Sequence, residues 1–212
     1  MTIVQPSDGV LEQAASLNVS RESWQRVERF VALLLEWQRS INLISPASIS
    51  HIWERHVIDS LQLLPHLLEH HKAVADLGSG SGFPALPLAI VSGKTFHLYE
   101  SNNKKAAFLR EALRITGCRG SVHTERLTGN SPALVPPDIA MVTARALAPL
   151  DELLNLAQPF MKNGAQALFM KGQDLEHELT QARKYWKIQC TKHASLTDSQ
   201  AIILAVQEVS RV

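Results

Sequence analysis

Lys72-Ala-Val-Ala-Asp-Leu-Gly-Ser-Gly-Ser-Gly-Phe83 is the stretch from which the fold can be read. An apolar run over 72–77 meets a glycine cluster, and a helix candidate follows over 83–91. Glycines there let the backbone turn sharply and approach a ligand closely. The alternation continues downstream. Strands are predicted over 96–100, 121–123, 138–143 and 165–170, with helices over 103–116, 151–161 and 174–185. Gly117 and Asn163-Gly164 stop the first two of these helices. Strands alternating with helices imply a parallel sheet covered on both faces. The last two strands, 186–190 and 201–206, have only a polar loop between them, so they should pair antiparallel at an edge. The expected class is α/β, a Rossmann-like, mostly parallel seven-stranded sheet.

Upstream the pattern is helical. Ser20 is an N-cap candidate, and Trp24, Val27, Phe30, Val31, Leu34 and Leu35 recur at helical spacing. After Asn42 and Pro46, a second helix is predicted over 50–68, with Pro65 kinking or ending it. His70 and His71 read as its polar end. The organisation expected is a helical extension over 1–72 and a ligand-binding domain over 73–212.

Composition sets wide bounds. The 212 residues are 45% hydrophobic and 19% charged, which fits an ordered globular chain with a real core. A net charge of +1 neither demands nor excludes a nucleic-acid partner. Cys118 and Cys190 form no CxxC pattern, and the histidines show no ligand spacing, so no metal is expected. The first ten residues lack a basic region followed by an apolar stretch, and no segment has membrane-span length. The expectation is a cytoplasmic monomer with no membrane contact.

Two cofactor readings compete for the glycine loop. A dinucleotide fingerprint, G-x-G-x-x-G, needs glycine where Phe83 or Ala85 stands, and only a variant ending in alanine survives. The acidic-x-G-x-G-x-G pattern of S-adenosylmethionine (SAM) sites is matched throughout by Asp76, Gly78, Gly80 and Gly82. An acid at the strand end suits an amino group and a sulfonium. Glu100 ends the second strand, 20 residues after Gly80, where a carboxylate can accept ribose hydroxyls. Either nucleoside cofactor has that ribose, so Glu100 does not choose between them. A turn with no ligand is the plain alternative, less favoured because loop, position and acid agree.

Further stretches occur in order: Arg55-His-Val-Ile-Asp-Ser60, Glu100-Ser-Asn-Asn-Lys-Lys-Ala-Ala-Phe-Leu-Arg110, Thr143-Ala-Arg-Ala-Leu-Ala-Pro-Leu150 and Met170-Lys-Gly172. Together with the glycine loop they resemble the small-subunit ribosomal RNA methyltransferase G family (RsmG, or GidB), from about Trp24 to the end. The resemblance implies a SAM-dependent enzyme that methylates N7 of a guanine, guanine 527 of the 530 loop, in 16S ribosomal RNA. It implies 16S ribosomal RNA or the small subunit as partner. Gly78 and Phe83 match cofactor contacts in the loop, Thr124 and Glu125 the pair facing the adenine, and Arg145 the arginine after the fourth strand. The chain departs from the family at Ala85, where glycine is usual, and is loose around Val122-His-Thr-Glu-Arg126.

Guanine N7 carries a lone pair and needs no general base. Catalysis would rest on proximity and orientation. Arg145 is the substrate-side candidate, with a structural ion pair as the even alternative. Arg55 and Asp59 stand four apart and could pair with each other. His56 and Ser60 read first as contacts between extension and domain, and otherwise as a wall of the cofactor pocket. Lys104, Lys105, Arg110, Arg114 and Lys171 are candidate RNA contacts, against the alternative of a solvated helix face. The four tryptophans read as packing rather than base-stacking platforms. Rival functions are a methyltransferase for another RNA, a protein or a small molecule; an NAD-dependent oxidoreductase, disfavoured because neither Tyr99 nor Tyr185 has lysine four residues on; and a non-catalytic RNA-binding assembly factor.

Overall fold

The computed structural model describes residues 4–67, 73–129 and 135–212. Leu68, His70, His71 and Lys72, read above as a helix end and a strand start, lie outside the described residues.

Seven strands form one sheet: β1 (Ala73–Leu77), β2 (Thr95–Tyr99), β3 (Gly120–His123), β4 (Ile139–Arg145), β5 (Gln166–Lys171), β6 (Trp186–Ala194) and β7 (Ile202–Arg211). Their order is β3-β2-β1-β4-β5-β7-β6. Pairings are parallel from β3 to β5, and β7 runs antiparallel to both β5 and β6. The expected architecture and the antiparallel edge pair are present. β6 and β7 are longer than their apolar pattern predicts. Exposed polar residues such as Lys187, Gln189 and Glu208 alternate with covered ones, so half of each strand is invisible to an apolar-run criterion.

The chain order reverses between β1 and β4. β2 and β3 lie to one side of β1, and β4 and β5 to the other. Crevices for ligands open beyond the carboxyl ends of strands at such a switch point. The glycine loop and Glu100 follow strand ends on that one edge, and Arg145 and Lys171 are the last residues of β4 and β5 there.

Helices α4 (Ala85–Ser92) and α5 (Asn103–Thr116) cover one face, and α6 (Leu150–Met161) and α7 (Leu175–Ala182) the other. The extension adds α1 (Asp8–Ser16) and α2 (Arg21–Trp37). Ser20 caps α2 by accepting from the Ser23 N–H at 3.1 Å, as its position suggests. α1, capped by Ser7, was not foreseen. The single helix expected over 50–68 is instead a 3-10 turn (Pro46–His51), a π turn (Trp53–Ile58), one α turn, α3 (Asp59–Leu61), and a second 3-10 turn (Leu64–His66) carrying Pro65. Wide π turns inside helices often accompany functional sites.

The extension shares a core with the α4/α5 face. Phe30 is fully buried between Phe83 and Phe108, with ring centroids 5.3 and 6.2 Å away. Trp37 meets Phe108 edge-on, and Trp24 lies against Trp53. Trp186 is buried under the Arg211 guanidinium. The tryptophans therefore pack.

Phe30→Ala should cost about 3–5 kcal/mol and lower Tm by roughly 10 °C. Thermal unfolding followed by tryptophan fluorescence and by circular dichroism should give coincident transitions. Separate transitions would mean that the extension melts on its own.

Candidate functional site

β1 ends at Leu77, and the loop beyond it runs through Gly78, Gly80 and Gly82, all with positive φ (67°, 53° and 87°). L side chains rarely adopt this conformation. A Cβ at Gly78 would also collide with the side chain of Leu147, and one at Gly82 would meet Leu86 at 2.5 Å. Gly78, Ser79, Gly80 and Phe83 line a cavity of about 660 Å³, which also takes in Tyr99, Glu100, Glu125 and Arg145. Its far wall comes from the extension, as Leu43, Ile44 and His56. Gln38 clips that wall in place. Its side chain accepts from the N–H groups of Leu43 and Ile44 at 2.9 and 3.0 Å and donates to the Ile44 carbonyl at 2.9 Å.

Three of the anticipated residues do not reach the cavity surface. Asp76 is buried beneath the loop and accepts a hydrogen bond from the Thr143 hydroxyl at 2.7 Å. Burial pushes its carboxyl up to about 6, a shift that the Thr143 bond opposes. Gly82 serves the packing of Leu86 and Leu109. Thr124 is half-buried and stands off the lining, while its neighbour Glu125 is on it.

Glu100 ties the loop to β2. One carboxylate oxygen accepts the Gly80 N–H at 2.9 Å and the other the Asn102 N–H at 2.7 Å. Each oxygen keeps a lone pair for a ligand hydroxyl.

Arg145, at the end of β4, joins the sheet to the extension. It forms a 3.1 Å ion pair with Asp59 and donates to the Arg55 carbonyl at 2.6 Å and to His56 Nδ1 at 3.2 Å. Asp59 therefore pairs with Arg145 and not with Arg55. The helix register that would bring Arg55 and Asp59 together is broken by the π turn, and Arg55 is left exposed. Burial lowers the Arg145 pKa, and Asp59 opposes the shift. Next to Arg145, Ala146 holds φ 49°, which is strained for a residue with a side chain.

His56 stacks on Phe83 with centroids 5.0 Å apart. An arginine only donates, so His56 Nδ1 must carry its lone pair. Nε2–H then donates to Ser48 Oγ at 3.0 Å, and Ser48 in turn to the Ser45 carbonyl at 2.8 Å. The neutral ring fits its pKa, lowered to about 4 by burial first and then by Arg145 and Arg55. His56 thus both lines the cavity and contacts the sheet domain through Arg145 and Phe83, whereas Ser60 is buried off the lining and donates to the His56 carbonyl.

The basic residues divide. Lys105 lines the cavity, as does Arg126. Lys104, Arg110 and Arg114 are exposed on α5, and Arg114 pairs with Glu111 at 2.6 Å. Such an exposed pair contributes little to stability. The Lys171 ammonium is held by Glu178 at 2.7 Å and by the Ala148 carbonyl at 3.1 Å, so it ties β5 to the α6/α7 layer. Tyr99, Leu147 and the 43–44 wall were missed. Nothing in their local pattern separates a cavity lining from ordinary core.

Among the described residues, no cluster of three or more His, Cys, Asp or Glu could hold a metal, and no helix is long and apolar enough to cross a membrane.

The His56 pKa gives a stability slope. Between pH 6.5 and about 4 the unfolded chain binds a proton at His56 that the folded chain does not. Stability therefore falls on acidification through that window and the loss levels off near 4. Asp76, with its raised pKa, acts in the opposite sense but is common to both proteins when His56→Gln is compared with wild type. The variant should show a flatter fall of Tm from pH 6.5 to 4.5 by calorimetry, and an unchanged slope would mean that His56 is charged in the fold.

A family model described as rRNA small subunit methyltransferase G matches residues 23–204. Proteins named ribosomal RNA small subunit methyltransferase G are similar over most of their length. The one from Bradyrhizobium sp. strain BTAi1 is 49% identical, over 91% of this chain and 88% of its own. The one from Rhodopseudomonas palustris strain BisA53 is 46% identical, over 97% and 91%. Among solved structures, a ribosomal protein L11 methylase from Lactobacillus delbrueckii subsp. bulgaricus superposes with a TM-score of 0.54 at 19% identity, over 74% of this chain and 78% of its own. An O-methyltransferase from Bacillus cereus, in complex with SAH, gives 0.53 at 12%, over 85% and 91%. At that identity the structures share the fold. The match over 23–204, with relatives near half identity along almost the whole chain, makes this protein a member of the rRNA small subunit methyltransferase G family.

Proposed function

We propose that this protein transfers the methyl group of SAM to N7 of a guanine in 16S ribosomal RNA, guanine 527 of the 530 loop. The observation that carries the reading is the side-chain-free glycine backbone at the switch point, lining a 660 Å³ cavity beside Glu100. Drug-sized ligands occupy sites of about 300–1,000 Å³.

The residues present suit the cofactor. Gly78 and Gly80 let it lie directly on backbone, and Glu100 has free lone pairs for ribose hydroxyls. Phe83 and Glu125 also line the cavity, and in this reading Glu125 serves the adenine end of the cofactor. Asp76, beneath the loop, adds negative potential that favours a cation above it, although it makes no contact itself. SAM, held by the glycine backbone and Glu100, would supply an electrophilic methyl to the N7 lone pair, with the S–C electron pair leaving on sulfur, so that positive charge would pass to the base and no proton would move.

That balance matches what His56 offers. Both its ring nitrogens are committed, to Arg145 and Ser48, and its low pKa keeps it neutral. It is a wall and a support for Arg145, not a base. A guanine N7 requires none. Arg145 borders the cofactor cavity from the acceptor side and orients what enters there.

Labelled SAM incubated with small ribosomal subunits lacking the modification should place label at one guanine N7, located by mapping the methylated nucleotide. Label at another atom, or only in a protein or small molecule, would replace the acceptor assigned here. Gly78→Ala should retain the fold by circular dichroism and lose roughly tenfold or more in SAM affinity by calorimetry, because the new methyl collides with Leu147, a residue of the same cavity lining, at a backbone position with φ 67°. Unchanged affinity would move the cofactor off the loop.

A further inference from the structure

A second cavity, of about 560 Å³, opens on the other side of Arg145 and Ala146, which line both. Three parts of the chain far apart in sequence make its walls: the π turn and α3 with Arg55 and Asp59, the end of β5 at Lys171 and Gly172, and the β6–β7 loop at Ser195, Thr197 and Asp198.

That loop is pinned to the extension. The Gln62 side chain accepts from the Leu196 N–H at 2.7 Å and donates to Ser195 Oγ at 3.1 Å and to Asp59 Oδ1 at 2.7 Å. Thr197 Oγ1 donates to the same Asp59 oxygen at 2.6 Å. Asp59 thus holds the loop with one oxygen and Arg145 with the other.

The charges of this cavity sort into engaged and available. Arg145 is held by Asp59, and Lys171 by Glu178. Arg55 is exposed, and no carboxylate among the described residues pairs with its guanidinium. Asp59 is buried and accepts from three groups, Gln62, Thr197 and Arg145, whereas Asp198 is exposed and accepts from the Gln200 N–H at 2.9 Å through one oxygen, leaving the other open. One cation and one carboxylate are therefore available, on different walls of a nucleotide-sized space that adjoins the cofactor cavity.

We infer that the second cavity receives the acceptor guanosine nucleotide, with Arg55 on its phosphate and Asp198 on the N1–H and N2–H₂ donors of the base. The inference rests on the guanine-N7 reading above. N7 must face the Arg145–Ala146 border, beyond which the methyl donor lies. The N1–H and N2–H₂ donors are on the far side of the ring, and in the proposed pose they meet the β6–β7 loop that carries Asp198. A carboxylate there selects guanine over adenine, which has no N1–H or 2-amino group. It also acts differentially. As N7 gains the methyl, positive charge spreads into the base and N1–H becomes a stronger donor. The bond to Asp198 is therefore stronger in the transition state than in the bound substrate, which is the condition for raising kcat. Such a nucleotide must be unstacked to enter, as single-stranded loop bases can be.

The test compares full-length Arg55→Gln and Asp198→Asn with wild type. Both positions are exposed, so folding is not at risk. Three quantities are measured: SAM affinity, kcat and KM on unmodified small subunits, and the salt dependence of subunit binding. Arg55→Gln should raise KM with kcat near wild type, and make the log–log salt slope shallower by about 0.7. Asp198→Asn should lower kcat roughly tenfold or more, and Asp198→Glu should recover part of the loss. SAM affinity should be unchanged in all three. If wild type labels guanine N7 and the variants match it in kcat, KM and salt slope, the second cavity is not the acceptor site and the function stands. If SAM affinity falls in step with activity, the cavity belongs to the cofactor and the inference fails. If wild type labels no guanine N7, the inference and the function fall together.

Discussion

Arg145 is the interaction on which the site depends. A guanidinium at the end of a central strand reaches across to the extension, where one carboxylate, one carbonyl and one imidazole nitrogen accept from it. It is half-buried, and so is the histidine, while Asp59 is buried outright. Attraction in such a place roughly offsets desolvation, so the pair adds little net stability, but removing one partner strands the other. What the contact supplies is position. It sets the distance between the glycine loop on one side and the π turn and β6–β7 loop on the other, and hence the shape of both cavities.

The extension belongs to the site because it belongs to the core. Phe30 of α2 is held between Phe83, just past the glycine loop, and Phe108 of α5. Dispersion and burial at that cluster fix the direction in which Leu43, Ile44 and His56 approach the cavity. The opposite face of the sheet has its own cluster under α6 and α7, and Lys171, Glu178 and the start of α6 are joined there by one ion pair and one capping bond. The sheet edge carrying the chemistry is thus braced from both faces.

Two titratable groups are held away from their ordinary states for different ends. His56 is neutral because burial and two neighbouring guanidinium groups oppose its charging, which keeps it an acceptor for Arg145. Asp76 has its carboxyl raised by burial but keeps a hydroxyl donor, Thr143, that favours the charged form. Burial and hydrogen bonding therefore act against each other on the carboxyl that lies under the glycine loop.

By itself the sequence determined the order of strands and helices from β1 onward, the glycine loop, the strand-end positions of Glu100 and Arg145, and the antiparallel closing pair. These are legible because backbone geometry enforces them locally: glycine where φ is positive, apolar runs where a strand is covered on both faces, periodicity where a helix meets a core. Only the tertiary structure decided that Asp59 pairs with Arg145, that Asp76 lies under the cavity, that Lys171 is an internal tie and that the 43–44 loop is a wall. Each of these depends on which of several polar partners lies within hydrogen-bond reach after residues far apart in the chain have packed. Arg55 and Asp59 show why. Four apart, they would pair on a regular helix, and a π turn that no local residue announces leaves the Arg55 side chain exposed and gives Asp59 to Arg145.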